Sequence, residues 1–222
     1  MGFGSGRGRR RGAPAGGTDP RSFLAAVATS AMEHVAIDGL DNALQPAAVM
    51  RHLTDPLGCE NLAINYYELA PGDSFAFAYH NHEVQEEVFV VLSGTATWVV
   101  GPEPADTADP VGSSAPGAPA DRREVEVGPM EAIRIPPGQF QRGWNREETG
   151  DGERVTALAL GAPLAYGEQL KRDDCPACGE EVAVSIERAP DDESQLVTVC
   201  AACGAEVARW RRGDEGENEW VR

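Results

Sequence analysis

Hydrophobic and polar positions along this chain alternate in short runs separated by turn residues. Residues 62–69 are β-rich and end at Pro71-Gly72. Residues 74–82 alternate, 87–92 are rich in valine, and Ser93-Gly94 supplies a turn before 95–100. Residues 101–123 are rich in Pro, Ala, Gly, Ser and Asp and read as a long loop. Beyond it, 124–127 and 132–135 resume the strand pattern, Pro136-Pro137-Gly138 turns the chain, and 155–160 is a further strand. Only 45–53, with Pro46 in its first turn, suits a short helix, closed by Pro56 and Gly58. Many short strands with turn signals and few helices predict an all-β sandwich or barrel.

Charge divides the chain unevenly. There are 36 acidic residues against 19 basic ones, a net charge of −17, and Lys171 is the one lysine. Such a surface repels phosphates, which disfavours nucleic acid as a partner. It resembles the surfaces of salt-adapted cytoplasmic proteins of haloarchaeal type. Residues 1–31 hold five arginines and one acid. They read as a disordered or misassigned leader with Met32 as the start. A secretory signal is the competing reading, but the apolar run 22–32 is short and a Gly/Pro-rich spacer separates it from the arginine cluster. No stretch is long and apolar enough for a membrane-spanning helix. The expected organisation is a barrel over 32–165, a cysteine-bearing module over 173–212 and an acidic tail over 213–222.

One motif in the barrel carries chemistry. Pro71-Gly72 is followed after seven residues by His80-Asn81-His82, then after four by Glu87 and after six more by Gly94. Residues two apart on a strand share a face, so His80 and His82 present two imidazoles to one point. Glu87, on the next strand, adds a carboxylate; Glu86 competes for that role, and the spacing to Gly94 favours Glu87. Two histidines and a carboxylate suit a divalent transition metal. Ser74, Ala76 and Ala78 are expected on the histidine face, with Phe75, Phe77 and Tyr79 on the other.

The segment resembles the first conserved motif of the cupin superfamily, a group of metal-binding β-barrels. A partial second motif follows: Gly128, seven residues, Pro136-Pro137-Gly138, two residues, Gln141, three residues, Asn145. The resemblance implies a cupin-type double-stranded β-helix, or jelly-roll barrel, over roughly 58–162. In that family the position of Gln141 normally carries a third histidine ligand. Here an amide replaces it, to complete the metal shell weakly or to orient water or substrate. The barrel metal implied is Fe, Mn, Ni or Zn.

Four of five cysteines form a second pattern. Cys175-Pro-Ala-Cys178-Gly179 is matched, after 21 intervening residues from Cys178, by Cys200-Ala-Ala-Cys203-Gly204. Val182, Val184 and Ile186 alternate, 189–194 turn, and 196–199 return, giving a hairpin between two knuckles. Four thiolates make a closed tetrahedral structural Zn²⁺ site, and the module is similar to the zinc-ribbon family. Redox dithiols are the rival reading. A module this small buries little core, so the metal is expected to hold it together, separately from the barrel core. Paired CxxC motifs also argue for a reducing, cytoplasmic setting. Cys59 reads as a small, half-buried residue.

Two functions remain. One is a metal-dependent enzyme acting on a small molecule, with dioxygenase or isomerase chemistry implied by the cupin resemblance. The other is a non-catalytic ligand-binding or regulatory protein whose ribbon docks a protein partner. A homodimer is compatible with either.

Overall fold

The computed structural model describes residues 32–103, 119–146 and 152–221. The leader 1–31 and most of the loop 101–123 lie outside them. Among the described residues the chain is all-β, with 14 strands in two antiparallel sheets.

The first sheet has the order β1 (Val49–His52), β2 (Ala63–Leu69), β9 (Val155–Ala162), β4 (Glu86–Ser93), β7 (Ala132–Ile135). The second begins, from one edge, with β6 (Arg123–Val127), β5 (Ala96–Val100), β8 (Gln141–Trp144) and β3 (Tyr79–His80). Together these nine strands make a double-stranded β-helix, a jelly-roll barrel. Its core is aromatic: Phe75 stacks on Trp98 at 5.0 Å between centroids, with Phe89 and Tyr67 each 5.2 Å from Phe75. Gly143 on β8 makes room for this stack, because a Cβ there would lie 2.6 Å from the Trp98 ring.

The second sheet continues past β3 into β10 (Lys171–Cys175), β11 (Glu180–Arg188), β12 (Leu196–Cys200), β13 (Glu206–Arg212) and β14 (Asn218–Trp220). The sequence suggests a module with its own separate core. The buried residues fall into two clusters, and one strand joins the two parts in a single sheet. On β10, Lys171 pairs with His80 and Arg172 with Tyr79, and the same strand ends at Cys175. Ala78 packs in the cysteine-side core with Cys175, Val182, Val184 and Cys200. Phe77 meets Trp210 edge-on at 5.0 Å, and Arg142 pairs with Asp173 at 3.3 Å. Within 213–222, read as an acidic tail, β14 forms the sheet edge. There Asn218 donates its side-chain amide to Ala43 O and Ala47 O, and its backbone N–H to Ala48 O.

Two local expectations are corrected. Residues 45–53 form no helix; they bend into β1. Tertiary partners override the helical pattern: Asn42 Oδ1 accepts Met50 N–H, Asp73 Oδ2 accepts Ala48 N–H, and β1 pairs along β2. Residues 74–82 are not one strand. Only a bridge at Ser74 and the two-residue β3 are ladder-paired. The irregular segment between them breaks the alternation, so Phe75 lies in the barrel core although it was expected opposite the histidines.

Candidate metal sites of the barrel and the cysteine module

β3 ends at His80, and its cross-strand partner on β8 is Gln141. Directly paired residues put their side chains on one face, so these two meet inside the barrel. Glu87 reaches the same point from β4. His80 Nε2 and His82 Nδ1 each lie 3.9 Å from a different Glu87 oxygen. One ligand atom from each of the three residues falls within 4.8 Å of the others. With metal–ligand bonds of about 2.1 Å, tetrahedral donors stand roughly 3.4 Å apart, so a small contraction would close this set on an ion. Glu86 points away and pairs with Arg134 at 2.6 Å, leaving Glu87 as the carboxylate inside.

His80 is preset as a ligand. His80 Nδ1 faces Ala78 O at 3.0 Å and so carries the proton, leaving the Nε2 lone pair free to face the site. Burial holds the His80 imidazolium down to a pKa of about 3 and lowers that of His82 too, so burial favours the neutral form of both rings. Burial pushes the Glu87 carboxyl up to about 7, partly opposed by the Gln141 hydrogen bond. Gln141 is 1% exposed. Its amide nitrogen donates to Glu87 Oε2 at 3.0 Å and contacts His80 Nε2 at 3.3 Å. The partial positive charge of this NH₂ group therefore sits against two of the candidate ligand atoms. Gln141 Oε1 is buried with no partner. Turning the amide over would aim that orphaned oxygen at the site, beside His80 Nε2 and the Glu87 carboxylate, as a further donor atom for a cation. The residues thus fit a divalent metal.

Several residues of the site carried no recognised sequence signal. His82 Nδ1 donates to Gln85 Oε1 at 2.7 Å, and Gln169 Nε2 donates to His82 Nε2 at 2.5 Å. An ion bonded to either nitrogen of His82 displaces one of these glutamines. Gln85 is seated by its own bond to Pro163 O at 2.7 Å and by Gly161, where a Cβ would stand 2.6 Å from the Gln85 side chain. Gly161→Val is therefore expected to dislodge Gln85 and weaken barrel metal binding by about tenfold with the cysteine site intact. Unchanged affinity would show that Gln85 does not hold the ring. Above the site lies a cavity of about 600 Å³, also lined by Tyr67, Phe77, Leu164, Tyr166 and Lys171.

The cysteine site is built at two turns, after β10 and after β12. Cys175 and Cys200 are buried, Cys178 and Cys203 exposed. Sγ separations are 3.7 Å for Cys175–Cys203 and 3.8 Å for Cys178–Cys200. These are far too long for disulfides. They match the edge of about 3.8 Å that four sulfurs make around an ion at about 2.3 Å. Gly179 and Gly204 take φ of 73° and 74°, as each knuckle requires. Cys59 is half-buried and lies outside both sites.

No family model matches the sequence, and no curated protein matches it. Solved structures do. Cupin-superfamily proteins are among its structural neighbours. A cupin-superfamily sugar phosphate isomerase from Silicibacter pomeroyi is 12% identical over 85% of this chain and 92% of that one, with a TM-score of 0.42. A Klebsiella pneumoniae protein with a double-stranded β-helix domain is 16% identical over 60% of this chain and 92% of its own, with a TM-score of 0.42. Oxalate decarboxylase from Lactobacillus farciminis is 15% identical over 60% of this chain and 34% of its own, with a TM-score of 0.44.

Proposed function

We propose that this chain is a cupin-type protein that binds a divalent transition metal through His80, His82 and Glu87, with Gln141 beside it, and acts on a small molecule in the cavity above. The observation that carries this reading is the Gln141 arrangement. A buried amide caps two neutral or carboxylate donors with its NH₂ while its own oxygen stays unpaired. That cost makes sense where a cation can enter. A bound ion of this class would supply Lewis acidity or an oxygen site, which suits the isomerase or dioxygenase chemistry that the sequence suggests. The chain's part is to hold the His80 tautomer through Ala78 O, to orient the His82 ring through Gln85, and to shield the site with Phe77, Leu164 and Tyr166. The Cys175, Cys178, Cys200, Cys203 cluster is proposed as structural zinc. Elemental analysis of protein purified under reducing conditions tests both sites: about two metals per chain are expected, and one or none would remove the barrel ion or both ions.

A non-catalytic ligand-binding role is the second reading, favoured by Gln141 standing where an imidazole would bind metal more tightly. Turnover that depends on added Fe²⁺, Mn²⁺ or Ni²⁺ separates the two.

The acidic composition supports a salt-adapted, cytoplasmic protein. Self-repulsion is strongest where screening is weak, so the Tm is expected to rise with KCl into the molar range. A Tm independent of salt would remove this inference.

A further inference from the structure

Lys171 is the one lysine of the chain. It begins β10, directly opposite His80, so its side chain shares the face of the sheet on which His80 enters the barrel. It lines the cavity together with His80, His82, Glu87 and Gln141. The acids lining the cavity are Glu87 and Asp55, and neither pairs with it. Among the described residues its side chain has no ion-pair or hydrogen-bond partner. Arginines elsewhere behave differently. Arg172, the next residue, bonds Glu181, and Arg142, Arg154 and Arg209 are each paired with acids. A half-buried cation left unpaired in so acidic a chain is costly unless something anionic visits it. With a divalent ion bound, Glu87 and Asp55 together would offset only part of the charge of the ion and Lys171, and the cavity would stay net positive.

We infer that the barrel takes a small oxyanion, a carboxylate or phosphate group on a compact ligand, with Lys171 holding that group while a second ligand oxygen faces the metal position. This rests on the metal-site reading for the second oxygen alone; the Lys171 contact stands without it. Lys171 is then a binding residue that decides between charged and neutral ligands.

The test uses full-length protein with ribbon zinc in place, as wild type, Lys171→Gln and Lys171→Arg, at fixed ionic strength. Glycolate is the carboxylate probe, glycerol 3-phosphate the phosphate probe, and ethylene glycol the neutral control. Binding is read by calorimetry without added metal, and by the visible absorption of Co²⁺ in the barrel with it. Wild type is expected to bind at least one anion and not the glycol. Lys171→Gln should weaken that anion at least about tenfold, and Lys171→Arg should keep it within roughly threefold. Which probe binds tells carboxylate from phosphate. Equal anion affinity in wild type and Lys171→Gln, or no anion bound by wild type, overturns the inference. If Co²⁺ fails to enter the barrel while anions still bind through Lys171, the metal reading falls and this one stands. If Co²⁺ enters and Lys171→Gln changes nothing, the reverse holds.

Discussion

Cys178→Ser is expected to lose about one zinc per chain and, with it, the barrel's grip on its own metal. The sequence alone suggests that the barrel would survive such a change untouched, because the cysteine module looks self-contained. The shared sheet argues otherwise. β10 carries Lys171 opposite His80 at one end and Cys175 at the other. The segment just before it supplies Gln169 to His82 Nε2, and Leu170 N–H donates to Asn81 Oδ1. Loss of the ion removes the constraint on four thiols and loosens β10 to β12, where Val182, Val184 and Ala78 pack around the sulfurs. β3 is only two residues long, and β10 is one of its two partners. A loss of about 4 kcal/mol would lower the Tm of a domain this size by roughly 8–16 °C. Barrel metal affinity should fall by about tenfold or more. Hydrogen exchange at His80–His82 in the variant is the direct readout. Protection there equal to wild type, with the zinc gone, would show that the sites are independent.

Gln141→His is expected to tighten barrel metal binding by at least about tenfold, or about 1.4 kcal/mol. Gln141 lies across β3 from His80, its amide nitrogen 3.3 Å from His80 Nε2. An imidazole fits a comparable volume and places a nitrogen donor where late first-row ions prefer one. It also removes a buried, unpaired amide oxygen. Gln141→Ala should act differently. It uncaps Glu87 Oε2 and His80 Nε2, costing about 1–3 kcal/mol of stability in the metal-free protein. It should change metal affinity only mildly. Competition with a chromophoric chelator measures all three proteins. Weaker binding by Gln141→His than by wild type would mean that the position does not face the ion.

Much of this was legible in the sequence because spacing constrains geometry. His80 and His82 two apart, Glu87 after four intervening residues, and two CxxC pairs with following glycines require only local turns to converge. The strands of the barrel were legible for the same reason: alternation survives where one face is buried. What the sequence hid depends on distant partners. Residues 45–53 look helical until Asn42 and Asp73 take their backbone N–H groups. Gln85, Gln169 and Lys171 look like ordinary surface polar residues, because nothing local reveals that His82 or the cavity waits for them. The continuity of β3 with β10 was equally hidden, since a pairing across some 90 residues leaves no periodic mark.

The central claim is that the barrel holds a metal of its own through His80, His82 and Glu87. Its most direct test is the metal content of wild type and His82→Ala after loading with Co²⁺, with ribbon zinc counted separately. Circular dichroism and retained ribbon zinc confirm that the variant is folded. About one barrel ion per chain is expected in wild type and essentially none in His82→Ala. Equal barrel metal in the two proteins would contradict it.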